Sequence, residues 1–508
     1  MKEFASSWRR RAAGVGIGAA LVVALVTPAA SAEVKIVDAG GSTAIADSYV
    51  VVFKNGTVSA QGASALVDAL AARAGAEVDF RYRSALRGFA GSMSEGAAKS
   101  LAADPAVAYV AQNHTVKATA DQPNPPSWGL DRIDQRDRHP DKNYQYATTA
   151  DNVNAYILDT GIRTTHTDFG GRATFDFNAV DGNNTDCNGH GTHVAGTVGG
   201  SAHGVAKAVK LHAVKVLDCA GSGTMAGAAA GVDWVTANAV KPAVANLSLG
   251  GGASTVLDDA VRASIASGIT YAVASGNEGV DACATSPARV SEAITVNAVD
   301  NQDTKASFSN YGPCTDLFAP GVDITSTWNG SDTATNTISG TSMAAPHVTG
   351  AAALHLATNP GATPRQVRHE VVTILGTPNL VTNPGANSPD KQLFTGKPGN
   401  VLRRGESTSC LNSPRSTVMT QLTAQYDGNL VLSTYGRATW STRTFTDIPG
   451  PKRLTMQSDG NLVLYTETNV PLWHTHTNGT GATTFILQGD SNLVLYGPDG
   501  EVYWHRWQ

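Results

Sequence analysis

Apolar and polar positions change their period several times along the chain. Between about residues 33 and 120 they alternate in short blocks. SYVVVF (48–53) reads as a strand, and ASALVDALAARAG (63–75) has helical spacing closed by Gly75. FRYRSALRGFAGSM (80–93) returns to strand texture. SEGAAKSLAAD (94–104) is a helix opened by a capping serine, and VAYVAQNHTVKA (107–118) is a last strand. The order β-α-β-α-β predicts a small α/β unit. DQPNPPS (121–127) then breaks the chain, because three prolines in seven residues disfavour both helix and ladder.

From Trp128 to about Thr395 the texture is different. Apolar runs such as NVNAYILD (152–159), VKLHAVKVL (209–217), PAVANLSLG (242–250), GITYAVASG (268–276) and EAITVNAV (292–299) read as strands. Between and beyond them come Ala-rich segments of helical spacing: THVAGTVGG (192–200), TMAGAAAGVDWVTAN (224–238), VLDDAVRASIAS (256–267) and SMAAPHVTGAAALHLAT (342–358). Buried strands alternating with helices predict a doubly wound, mostly parallel sheet, with its chemistry in loops at the carboxyl ends of the strands. Residues 376–400, rich in Gly, Pro and Asn, read as a boundary. Beyond it QYDGNLVLS, QSDGNLVLY and QGDSNLVLY begin at Gln425, Gln457 and Gln488, followed in turn by Trp440, Trp473 and Trp504. This repeat of alternating strands and Asp-Gly turns predicts a threefold all-β unit.

Composition adds a compartment. The N-terminus runs from a basic WRRR through AAGVGIGAALVVALV to an Ala-x-Ala site ending at Ala32, the layout of a signal peptide over residues 1–32. The alternative is an uncleaved anchor, but the apolar run is short for a span, and no other stretch is apolar enough to cross a bilayer. A secreted, extracellular protein is expected, without a membrane partner. The 508 residues imply more than one domain. The net charge of −5, with signs interspersed, leaves no footprint for nucleic acid. Secretion makes disulfides the default for the five cysteines: Cys187, Cys219, Cys283 and Cys314 are enough for two bridges, and Cys410 is left over.

Three short motifs carry the candidate chemistry. CNGHGTHVAG (187–196) places Cys187, His190 and His193 three residues apart, a spacing open to a zinc site or to a catalytic base beside a structural cysteine. Asp159 ends an apolar strand in ILDTG, and Ser342 sits at the mouth of a helix in SGTSMAAPH. Singly, the aspartate reads as a cap and the serine as an N-cap. Together Asp, His and Ser follow the chain order of the subtilisin triad, the standard case of that order. A serine hydroxyl needs a base near neutral pH; His190 would be that base and Asp159 would orient it. Asn277 in ASGNEG is either a turn residue or a donor to an oxyanion.

These motifs, with WGLDRIDQRD, SLGGGAST and FSNYGPCTDLFAPG, resemble the subtilases, in their proteinase K and aqualysin-like branch, over nearly all of residues 125–395. The resemblance implies a subtilisin-like α/β serine protease domain over 121–395, an Asp159–His190–Ser342 triad and an oxyanion hole from Asn277 and the Ser342 N–H. His193 and His347 would be structural. Gly221, Ser222 and Gly223 would face Ser248, Leu249 and Gly250 as two edges for a peptide substrate. Ala274, Ser275 and Gly276 would line a pocket with small, uncharged walls, giving broad apolar or aromatic preference. It further implies the disulfides Cys187–Cys219 and Cys283–Cys314, each worth at most ~3–4 kcal/mol by chain entropy. Structural Ca²⁺ is implied at the Pro287 and Arg289 carbonyls with the Asp316 carboxylate, and at Asp131 with Asp134.

YVVVF, LRGFAGSMS and DPAVAYVAQN resemble an inhibitor-type, ferredoxin-like propeptide over 33–120, which would block the cleft until autolysis near Ala120. The C-terminal repeat resembles the monocot, bulb-type mannose-binding lectins, a β-prism fold, over 399–508. Their Q-x-D-x-N-x-V-x-Y motif is complete at Gln457, Asp459, Asn461, Val463, Tyr465 and at Gln488, Asp490, Asn492, Val494, Tyr496. It has Ser433 in place of tyrosine in the first repeat. Mannose-type glycans are the implied partner; a spacer or adhesive module is the alternative. Against the protease stand a zinc hydrolase, which lacks H-E-x-x-H, and a carbohydrate-binding protein in which the protease is secondary or dead, which the intact triad opposes.

Overall fold

The computed structural model describes residues 36–37, 39, 44–54, 62–83, 86–114, 120–136, 140–396, 399–412, 420–448 and 451–507. The expected signal peptide at 1–32 lies outside them, as does the 115–119 stretch before Ala120. No helix among the described residues is long and apolar enough to cross a membrane.

Two compact units are present, one built on residues 47–112 and one on 113–508. The first has a four-stranded sheet in the order Glu77–Tyr82, Gly88–Ser92, Ala44–Phe53, Val107–His114. Helices Gly62–Ala74 and Glu95–Ala102 complete it; Gly75, at φ +61°, ends the first, and the Ser94 hydroxyl caps the second on Ala97 N. The element order is β-α-β-β-α-β, not β-α-β-α-β. FRYRSALRGFAGSM holds the end of one strand and the whole of the next, and the two pair antiparallel. Val51, Phe53, Leu70, Phe89, Leu101 and Val110 form the core.

The second unit begins with an α/β domain built on a nine-stranded sheet. Seven strands run parallel in the order Ala173–Asn178, Lys210–Lys215, Asn154–Asp159, Ala243–Leu247, Thr270–Ala274, Ile294–Val299, Leu317–Pro320. Successive side chains of a strand point to opposite faces. Accordingly, Ala155 and Ile157 enter one core with helices His190–Gly199 and Thr341–Thr358, while Tyr156 and Leu158 enter the other with Met225–Asn238 and Thr255–Ala266. Strand order reverses between Asn154–Asp159 and Ala243–Leu247, which opens a crevice at their carboxyl ends. Within the expected boundary, Thr377–Pro378 and Lys391–Gln392 add two short strands to the sheet edge, and Leu393 and Phe394 are buried. The 376–396 stretch therefore belongs to this α/β domain; its loops are polar because they run over the surface.

Residues 401–505 form three four-stranded antiparallel sheets, one per repeat. Each repeat supplies three strands, and the 401–412 segment supplies the fourth to each sheet in turn. Leu432, Leu464 and Leu495 fill the centre, and Trp440, Trp473 and Trp504 pack edge-on with ring centroids 5.8–6.4 Å apart.

Candidate active site

Asp159 is the last residue of a central strand and is fully buried. His190 is the first residue of a helix whose preceding Gly189 has φ +113°, with a Cβ position filled by the Trp328 ring at 2.5 Å. Gly191 has its own reason to be glycine: a Cβ there would stand 2.1 Å from the Gly161 carbonyl. This close approach brings His190 onto Asp159, with Nδ1 at 2.8 and 3.0 Å from the two carboxylate oxygens. Burial opposes a charge on His190, but the Asp159 carboxylate outweighs it, and its pKa is raised above the ordinary 6.5.

Ser342 lies in the first turn of Thr341–Thr358, where backbone N–H groups have no intrahelical partner. Its hydroxyl donates to the Ser248 carbonyl (3.2 Å), and the Ser248 hydroxyl donates to the Ser342 carbonyl (2.8 Å). Asn277 Oδ1 accepts from Thr341 N at 2.8 Å and Thr341 Oγ1 at 2.9 Å. Two donors fix the oxygen end of the amide, so its NH₂ faces the other way.

His190, Ser342 and Asn277 line one cleft of about 760 Å³. All three predicted substrate segments, Gly221–Gly223, Ser248–Gly250 and Ala274–Gly276, line it as well. Its wall is not uncharged: Glu278 stands in it, with Oε2 accepting from Asn310 Nδ2 at 3.0 Å. The charge was in view in ASGNEG, directly after Asn277. A second missed residue is Asp186, which is buried and accepts from Thr160 Oγ1, Asn188 N, Gly189 N, Thr192 N and Thr192 Oγ1 at 2.5–2.9 Å. It ties the Asp159 loop to the His190 helix. The signal available for it was an acidic residue just before the C-N-G-H-G run.

Cys187 is bonded to Cys219 and Cys283 to Cys314. The first bridge leaves Cys187 no thiolate for zinc. His193 is buried, donates from Nε2 to the Ile324 carbonyl (2.9 Å), and is pushed down to about 3 by burial. His347 bonds the Met343 carbonyl through Nδ1 (2.8 Å) and is pushed down to about 4 for the same reason.

The two implied calcium sets differ in fit. Around Asp131 and Asp134, the buried oxygens Asp134 Oδ1, Gln135 Oε1 and Asn143 Oδ1 have no hydrogen-bond partner among the described residues, and burial pushes Asp134 up to about 7. Uncapped oxygens of this kind suit a hard cation. Among the described residues no three His, Cys, Asp or Glu side chains group as a metal site, so amide oxygens would have to complete the set. At the other set, the Asp316 carboxylate pairs with Arg368 and accepts from Thr295 N (2.9 Å), and the Pro287 carbonyl accepts from Val290 N (3.0 Å). Arg368 already supplies the positive charge there, and Arg289 turns its own side chain to Asp258. The Pro287–Arg289–Asp316 set does not fit calcium as it stands.

In the β domain, Gln457 donates to the Tyr465 hydroxyl (2.8 Å) and Gln488 to that of Tyr496 (2.9 Å). Asp459 and Asp490 accept from the N–H of Asn461 and Asn492 at 3.0 and 2.8 Å, closing the turn in each repeat. Asn461 is itself held by Thr475 and Thr477 (both 3.2 Å).

Comparison with known proteins agrees with the cleft. The subtilase family matches residues 151–394, and the peptidase inhibitor I9 family matches 48–119. The extracellular serine proteinase of Thermus sp. (strain Rt41A) is 50% identical over 388 residues, covering 72% of this chain and 94% of that one. Alkaline serine exoprotease A of Vibrio alginolyticus is 44% identical over 69% of this chain and 68% of its own length. A solved cold-adapted subtilisin-like serine proteinase is 50% identical, with TM-score 0.52, over 53% of this chain and 98% of that structure. The chain belongs to the subtilase family. It is a serine-type endopeptidase acting on peptide substrates, with an I9 inhibitor segment ahead of the catalytic domain as in a zymogen.

Proposed function

We propose that Ser342 is the nucleophile, His190 its general base and Asp159 the group that orients the imidazole. The observation that carries this reading is the two-oxygen grip of Asp159 on His190 Nδ1, which leaves Nε2 for the cleft that Ser342 shares. In the reaction the Ser342 hydroxyl leaves the Ser248 carbonyl, passes its proton to Nε2 and attacks the scissile carbonyl. His190 then returns that proton to the leaving amine. The Asn277 NH₂ and the Ser342 N–H receive the oxyanion; losing one such donor costs ~3 kcal/mol, a value from subtilisins themselves.

The substrate lies extended between Gly221–Gly223 and Ser248–Gly250, with the side chain before the cut in the Ala274–Gly276 pocket. That pocket takes apolar and aromatic side chains, and Glu278 admits basic ones at its rim. The protein is secreted and inhibited by its own 33–120 segment until cleavage near Ala120. Ca²⁺ binds at Asp131 and Asp134 with the oxygens of Gln135 and Asn143, as a structural ion. The β domain is a bulb-type, β-prism carbohydrate-binding module for mannose-type glycans, supported by its threefold sheets and the paired Gln–Tyr geometry. The test of the mechanism is casein hydrolysis by Ser342→Ala. Activity should fall by on the order of 10⁶, the loss known for subtilisins; retained activity would overturn the serine mechanism.

A further inference from the structure

The second and third Q-x-D-x-N-x-V-x-Y faces are alike in sequence and in their Gln–Tyr hydrogen bond, yet they meet different surroundings. Near the Tyr465 ring lies Arg453 of the same β domain, 5.2 Å from its centroid. Near the Tyr496 ring lies His369 of the catalytic domain, with centroids 5.3 Å apart and planes inclined at 61°. His369 opens a π-helical turn, His369–Ile374, in which Leu375 N donates to the Glu370 carbonyl. Such turns are rare and concentrate where a helix has a task.

This turn meets the third motif and its neighbours at several points. Ile374 shares one buried apolar cluster with Val401, Ile486 and Val494, and Tyr496 packs on its edge. Glu370 takes two hydrogen bonds from the Arg403 guanidinium, at 3.0 and 2.5 Å. Gly489, between the motif's Gln488 and Asp490, is buried, whereas its counterpart Ser458 in the second repeat is exposed. An apolar centre with a bidentate ion pair beside it is the composition of a fixed interface.

We infer that the third motif face is the docking seat of the catalytic domain rather than a sugar site, and that glycan recognition falls to the second motif alone. A sugar bracketed by Gln488, Asp490, Asn492 and Tyr496 would have to enter beside the Tyr496 ring, on which His369 lies. The glycan half of this inference rests on reading the β domain as a carbohydrate module; the docking half does not.

The test uses the full chain, blocked with a serine-reactive inhibitor, and the variants Tyr465→Ala, Tyr496→Ala and Glu370→Gln. Retention on immobilised mannan and calorimetric unfolding are both read. Tyr465→Ala should lose at least tenfold in mannan retention and keep the parent's unfolding profile. Tyr496→Ala and the nearly isosteric Glu370→Gln should keep retention and lower or split the unfolding transition. Loss of retention in Tyr496→Ala with unchanged unfolding would overturn the inference. Should Tyr496→Ala fail to fold, Glu370→Gln decides: an unfolding profile identical to the parent's overturns the docking seat. Failure of the parent to bind mannan sinks the glycan half and the carbohydrate reading together. The unfolding readout still decides the docking half.

Discussion

Asp159 holds His190 by both carboxylate oxygens, at 2.8 and 3.0 Å from Nδ1, and is itself fully buried. The carboxylate's charge and hydrogen bond raise the histidine's pKa above 6.5 in spite of burial. A raised pKa stabilises the imidazolium, yet the base must be neutral to take the serine proton. Activity should therefore fall, as pH drops, through an apparent pKa above 6.5, measured as kcat/KM on a peptide anilide. Asp159→Asn should lower kcat by about 10⁴. In stability the sign is opposite: the pair contributes fully below the unfolded pKa and loses that contribution as pH rises through the folded one.

The proposed mechanism gives Asn277 a second job beside holding Thr341, and one substitution separates the two. Asp at this position keeps an oxygen for Thr341 N and Oγ1 but offers no donor to an oxyanion. Asn277→Asp should lower kcat by at least ~10²–10³ with the thermal midpoint preserved, as enzyme assay and calorimetry would show. A kcat within a few-fold of the parent would remove Asn277 from the oxyanion hole.

Glu278 puts a carboxylate in a wall expected to be neutral. Glu278→Gln should reduce kcat/KM for substrates with Lys or Arg before the cut by about 1.4–5-fold relative to Phe, the ~0.2–1 kcal/mol of a solvent-exposed ion pair. An unchanged ratio would mean that the carboxylate does not face the substrate.

Calcium should act on stability rather than on the chemical step. A chelator should lower the unfolding midpoint by several degrees, and Asp134→Ala should no longer respond to added Ca²⁺. Arg368→Ala should gain a second calcium response at Asp316, since it removes the guanidinium that now pairs there. Titration calorimetry of the parent and the two variants counts the sites; two equal sites in the parent would contradict the difference in fit.

Much of the molecule was legible in the sequence, and for definite reasons. Continuous apolar strands and Ala-rich helices specify a two-faced parallel sheet, because each strand must bury both sides. The Asp159, His190 and Ser342 motifs were readable because each sits at an element end, where local sequence fixes the backbone: Gly189 and Gly191 permit the approach that any side chain would block. The 80–93 run was read as one strand because two short strands in close succession leave little periodicity to separate them, and the two-residue edge strands at 377–378 and 391–392 leave as little.

The sequence by itself determined the order of domains, the residue types of the catalytic cleft and the threefold repeat, since all of these follow from patterning and local geometry. Only the tertiary structure decided which partner each side chain found. It joined Asp186 to the Asp159 loop and the His190 helix, set Glu278 in the cleft wall, paired Arg368 with Asp316, and laid His369 against Tyr496. Those pairings join residues up to 127 positions apart, as with His369 and Tyr496. They depend on how packed elements converge, which short-range periodicity does not encode.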